Sequence, residues 1–514
     1  MYFHKLRRFI YLFLPLVLLF VPISTFAATS IPFTINLSEP VNVTGTPRIA
    51  VDVGGVTRYA TYTSGSGSSA LTFTYSMVAG DVDLDGVTVS SPIDFNGGTI
   101  KDLAGNDLSP LTFTVPNTSN VKVNYPSLGM DFVYDADGRY TLNGTAYNDL
   151  ATFLSAAGGT FTRASVGTYF DSAGVLQTAA ANVPRFDYDP ITNAAKGILI
   201  EESRANLLTY SKDLSTNWVN FGNGTTTVVS ATETAPDGTA TAVKLNCTRA
   251  NAAQYTARRY NLSLTLSGQN TSSIWIKAAD GANIGKTITF WQYVGPSQNI
   301  TNYTLTSSWT RVTFNNSYSF SGNVAEPFNI GFLDGYGTDL NASFVVWGAQ
   351  LERGAFPTSY IPTTTAAVTR AADNLTMPTG SWYNASVGTL YSLMISNNPN
   401  SAYSGPILDD TTANNTISHI HNNNAGKIYV GGTQQFSFVL SNISGVYGKT
   451  ALAYQLNDVA EIRNGTGLQT SSSSSIPTVS RLLVSGSNVM TGNIKTFKYY
   501  PARVTNTQLQ LMTQ

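Results

Sequence analysis

The residues of this chain best suited to chemistry are two aromatic rings and a glycine-rich loop. Trp291-Gln-Tyr293 lies in a strand-like run that opens Thr287-Ile-Thr-Phe-Trp291. Residues two apart on a strand project to the same face, so both rings are predicted to form one flat platform. Asp334 and Tyr336 sit in the loop Gly331-Phe-Leu-Asp-Gly-Tyr-Gly337. Flat rings cover the C–H face of a pyranose, and carboxylates and amides hold its hydroxyls. Trp291, Tyr293, Asp334 and Tyr336 are therefore the candidate carbohydrate-binding residues. Large rings also dominate cores; Trp275 and Trp309 are assigned there, and Trp347 is left between the two readings.

Asp81, Asp83 and Asp85, followed by Gly86, open like a calcium loop, because alternating carboxylates can converge on a hard cation. Pro92 stands where an EF-hand needs its bidentate glutamate, which excludes that motif. A looser calcium site completed by Asp102 stays open, against the reading of these residues as turn carboxylates. His419-Ile-His421 puts two imidazoles on one side of a strand, a weak metal signal without neighbouring cysteines. Glycosidic hydrolysis needs two carboxylates flanking the bond. The pair available near the C-terminus is Asp458 and Glu461, in Asn457-Asp-Val-Ala-Glu-Ile-Arg463, and no Gly-x-Ser-x-Gly elbow offers a serine route.

The elements that must position these residues are β-strands. Only 11% of the 514 residues are charged, well under the usual ~25%, while 42% are hydrophobic, enough to support packed cores. The formal net charge of -1 supplies no field for nucleic acid, so no nucleic-acid partner is expected. Cys247 is the only cysteine, which excludes an intrachain disulfide. Residues 1–27 read as a secretory signal: His4, Lys5, Arg7 and Arg8, an apolar run broken by Pro15 and Pro22, then Thr25-Phe-Ala27. A secreted or cell-surface protein without membrane insertion after cleavage is expected, and a virion location stays open. So does homo-oligomerisation.

Short alternating runs such as Pro47-Arg-Ile-Ala-Val-Asp-Val53, Thr271-Ser-Ser-Ile-Trp-Ile-Lys277 and Val387-Gly-Thr-Leu-Tyr-Ser-Leu-Met-Ile395, separated by Gly, Asp and Ser turns, predict an all-β chain of several sandwiches. Gly348-Ala-Gln-Leu-Glu-Arg-Gly-Ala-Phe-Pro-Thr-Ser-Tyr-Ile-Pro362 resembles the closing segment of jelly-roll carbohydrate-binding modules in phage virion and tail proteins. The run Phe161 to Gln177, with Arg185 to Pro190 and Gly197 to Leu208, resembles the segment preceding that module. Leu37-Ser-Glu-Pro-Val-Asn-Val43 and Lys101-Asp-Leu-Ala-Gly-Asn106 resemble a bacterial Ig-like repeat, and the tail resembles a concanavalin A-like, laminin-G-like lectin sandwich.

With the leader at 1–27 read as a signal peptide, these resemblances imply an Ig-like spacer at 28–116, a structured connector at 117–207, a jelly-roll module at 208–365 and a lectin-like sandwich at 366–514. Thr505 or Asn506 is expected to cap a closing helix. The function implied is non-catalytic binding of glycan or polysaccharide, as in adhesion, with calcium as the one cofactor left open. The alternatives are a polysaccharide-degrading hydrolase or depolymerase, and a purely structural surface or virion component.

Overall fold

The computed structural model describes residues 29–133, 139–214, 216–294, 297–324, 327–397, 405–412, 414–418, 426–438, 445–485 and 490–514. The leader 1–27 and the pair His419 and His421 lie outside the described residues, as does the side chain of Tyr293.

The chain is all-β, built from sandwiches of antiparallel strands. Strand Arg48–Val53 alternates partly exposed and buried residues, as a strand with one face on a core must. It belongs to a first unit of six strands around Ile49, Val51, Leu71, Phe73 and Ile100. Its long strand Ser30–Thr44 pairs first with Ser68–Ser76 and, after an irregularity between Asn36 and Val41, with Thr99–Asp102.

The segment 117–207 is not a connector. Six of its strands complete the two sheets of the C-terminal sandwich. Leu128–Asp131 and Ala195–Ile200 both pair with Gly492–Tyr500, and Thr160–Thr162 pairs with Asn374–Pro378. The resulting ten-stranded and seven-stranded sheets enclose one core that mixes residues from both ends of the chain: Leu128, Phe153, Ile198, Leu390, Leu452, Leu482 and Phe497. Helix Leu150–Ala157 covers one margin, with Asp149 Oδ1 accepting from Thr152 N at 2.8 Å. The closing helix Asn506–Thr513 is capped by Thr505, whose hydroxyl accepts from Gln508 N.

A second sandwich is inserted into this host. The chain leaves through Arg204–Asn206 and returns through Val368–Arg370, and these strands pair with each other, Arg204 opposite Arg370. Between them, two five-stranded sheets pack around Leu245, Ile276, Phe290, Ile330, Phe344 and Val346. Asn206 locks the exit, donating to the carbonyls of Ala349 and Ile361 and accepting from Leu208 N and Leu351 N. Every bonding direction of that buried amide is therefore used.

Candidate functional site

At the stem where the insertion joins its host, arginines and carboxylates are buried together. Asp373, fully buried, accepts from Arg163 Nη1 at 3.0 Å, from Arg185 Nη2 at 2.5 Å and from Glu201 N at 2.9 Å. Glu201 lies 2.8 Å from Arg185 Nη1 and 3.4 Å from Arg370 Nη1, and accepts from both the amide and the hydroxyl of Ser359 at 2.6 Å. Burial opposes ionisation of Glu201, but Arg370, Arg185 and Ser359 together hold its pKa at about 2. Burial alone would lower the Arg185 guanidinium, yet the charges of Glu201 and Asp373 carry it above its ordinary value.

Above this network opens a cavity of about 210 Å³, walled by all three parts of the stem. The hairpin of Gly167–Phe170 and Leu176–Ala179 contributes Tyr169 and Phe170, and its turn is closed by Asp171 Oδ1 accepting from Ala173 N and Val175 N. The inserted sandwich contributes Trp275, Arg311 and the segment Pro357 to Tyr360; the host contributes Lys196, Asn397 and Asn493. Phe170 meets Trp275 edge to face, centroids 5.3 Å apart. Gly348 takes φ +69°, and a Cβ there would come within 3.2 Å of Trp275 and 3.3 Å of Tyr360, so glycine lets these rings approach the strand.

Asp187, on the cavity wall, is held by Lys196 Nζ at 2.5 Å and by Phe170 N at 3.0 Å. Below the cavity, Glu352 accepts from Thr358 N, Thr358 Oγ1 and Gln350 Nε2, while burial raises its pKa. Such a volume is smaller than the 300–1,000 Å³ common for drug-sized ligands. Its size suits a single ring, and its lining combines aromatic side chains with amide, hydroxyl and ammonium groups.

Trp291 is not a platform. It is fully buried, packed with Ala257 and Leu333 and flanked by Phe221 and Ile300, on the sheet face away from the inserted core. The period-two argument gave its face correctly but not that other side chains cover that face. Asp334 and Tyr336 do stand exposed, on a loop that Arg249 grips by donating to the carbonyls of Leu333, Tyr336, Gly337 and Asp339. Trp275 is buried in a core cluster, as assigned, while also bordering the cavity, and Trp309, packed against the same cluster, is partly exposed beneath Lys277. Trp347 is fully buried against Tyr360.

The aspartate series does not converge on a cation. Asp81 accepts from Arg58 Nε and Nη2, from Tyr75 and from Val78 N; Asp83 accepts from Gly54 N and Gly86 N. Asp85 accepts from Gln508 Nε2 at 2.7 Å, and Asp102 lies on another strand, bonded by Asn106. Among the described residues no group of three or more His, Cys, Asp or Glu could hold a metal. The loop is instead a joint. Val82–Asp83 pairs with Val123–Asn124, Leu84 N donates to Gln508, and Val82 packs on Ala451, Leu509 and Met512, fixing the first unit to the host.

Asp458 and Glu461 are three apart on strand Asp458–Arg463 and so face opposite sides of the sheet. Asp458 pairs with Arg503 at the surface, whereas Glu461 is fully buried and accepts from Gly426 N at 2.7 Å. They cannot flank one glycosidic bond.

Fold and site together define an all-β protein in which one sandwich is inserted in another, with an aromatic and polar cavity at the insertion point. No protein-family model matches the chain, and no curated protein matches it. Among solved structures, the N-terminal CBM22-1-CBM22-2 tandem domain of Paenibacillus barcinonensis Xyn10C is similar at 12% identity, over 58% of this chain and 98% of that one, with a TM-score of 0.22. Similarity at that level carries no argument about function.

Proposed function

We propose that this chain is an exported, non-catalytic protein that binds a saccharide in the cavity at the insertion stem. The observation that carries this reading is the meeting of Tyr169, Phe170 and Trp275 with Ser359, Asn397 and Asn493 around a space of one-ring size. Rings supply an apolar face and the polar groups supply hydroxyl partners. The cavity's two carboxylates, Asp187 and Glu201, are committed to cations and amides, and Glu201 is held ionised far below the range of a general acid. No bond is broken in this reading. The exposed Asp334 and Tyr336 form a second, shallower contact, and two weak sites on one chain raise avidity through effective concentration.

The test is retention on a glycan array, with reducing-end release measured on the retained polymers. Tyr169→Ala and Asn397→Ala, both at the cavity mouth, should abolish or sharply weaken retention, while Tyr336→Ala should weaken it less. Unchanged retention in the Tyr169 and Asn397 variants removes the cavity as the site. New reducing ends would replace binding by hydrolysis.

A further inference from the structure

We propose that the saccharide carries a carboxylate, as uronic and sialic acids do, and that Arg311 receives it; this rests on the cavity being the saccharide site.

Arg311 lines the cavity and is partly exposed there. Of its five N–H groups, two are used, Nη1 on the carbonyl of Thr358 at 2.6 Å and Nη2 on Ser273 Oγ at 2.9 Å. Both acceptors are uncharged, and Nε has no partner.

The surrounding charge does not balance. Arg163, Arg185, Arg311 and Arg370 are four cations, against Asp373, Glu201 and Glu352 as three anions, a surplus of one positive charge. Asp373 and Glu201 are engaged by the other three arginines, and Glu352 is engaged by Thr358 and Gln350. Glu352 and Glu201 act on Arg311 through space without bonding it, and the surplus positive charge left in a low-dielectric wall is costly, a cost that a bound carboxylate offsets. The cavity's own acids do not repel such a ligand, because Asp187 is neutralised by Lys196 and Glu201 by Arg185 and Arg370. Arg311 Cζ lies 5.9 Å from the Trp275 ring centroid, so a sugar seated against the cavity's apolar wall can bring its carboxylate to the guanidinium fork.

The test is retention of the full-length protein on immobilised uronic-acid and sialic-acid polymers, on the same polymers with carboxyls reduced to alcohols, and on neutral glycans. Retention should concentrate on the carboxylated surfaces and fall at least tenfold after reduction. It should also weaken as salt rises from about 50 mM to about 500 mM. Arg311→Gln should bring carboxylated and reduced polymers to the same level, with partial recovery in Arg311→Lys. Equal retention on reduced polymers overturns the inference, and that comparison with the salt series needs no variant to fold. Retention on neutral glycans that Tyr169→Ala abolishes keeps the cavity and overturns the acidic preference. No retention on any surface overturns both.

Discussion

Replacing Asp373 with asparagine should cost about 3–5 kcal/mol, the usual penalty for removing one partner of a buried ion pair. The carboxylate is fully buried, and its oxygens take Arg163 at 3.0 Å, Arg185 at 2.5 Å and the Glu201 amide at 2.9 Å. Asparagine keeps the shape but has one carbonyl oxygen, and its NH₂ group then faces a guanidinium that needs an acceptor. Three arginines are left around the single charge of Glu201. The control is Asp458→Asn: that carboxylate is 44% exposed beside Arg503, and a pair so solvated is worth at most about 1 kcal/mol. Urea unfolding at neutral pH, followed by tryptophan fluorescence and far-ultraviolet dichroism, measures both. Because the chain has more than one folding unit, the comparison is made on the first transition. The Asp373 variant should unfold at clearly lower urea than parent and control. Equal midpoints for the two variants would refute the view that the stem network holds insertion and host together.

The same network fixes an acid limit. Because the folded pKa of Glu201 is depressed from 4.5 to about 2, its stabilisation, about 3 kcal/mol, is present above pH 4.5 and lost as pH falls toward 2; a Glu201→Gln variant should show a flatter stability profile over that window. Glu461 acts in the opposite sense. Burial raises it from 4.5 to about 8, so the folded state holds a proton that the unfolded state releases, and stability declines as pH rises from 4.5 to 8. Glu461→Gln should therefore unfold at higher temperature than the parent at pH 9 and near the parent at pH 4, and no difference at pH 9 would contradict this. Asp81→Asn should destabilise the first unit by about 1–3 kcal/mol through lost charged hydrogen bonds to Arg58 and Val78 N. A chelator should leave the parent's melting curve unmoved, and a downward shift would restore calcium.

The all-β class was legible because alternation is a local signal: Arg48–Val53 and Val387–Ser396 show it in their own residues. So was the closing helix, announced by Thr505. The insertion was hidden because pairing is not local. Leu199 pairs with Asn493 and Phe161 with Leu375, and the strands of 117–207 are too short to declare a sheet. The cavity was hidden for the same reason. Yet the segment that resembled the run preceding the jelly-roll module, the module's closing segment and the start of the tail meet at one place: Arg163, Arg185 and Glu201 from the first, Ser359 and Tyr360 from the second, Arg370 and Asp373 from the third. Their odd composition, arginine and acid among apolar residues, was the available sign of a buried ionic joint. Trp291 failed as a platform because periodicity assigns a side of the sheet and says nothing of what covers that side; Leu333 does.

Because both crossings of the inserted sandwich run through the paired strands Arg204–Asn206 and Val368–Arg370, replacing the chain between those two strands can exchange the whole module while the host keeps its register. The cavity would not survive such a swap intact, since Tyr169 and Lys196 stay behind while Trp275 and Arg311 depart. On the proposed reading, ligand preference would then be a property of the pairing, inherited only when both partners travel together.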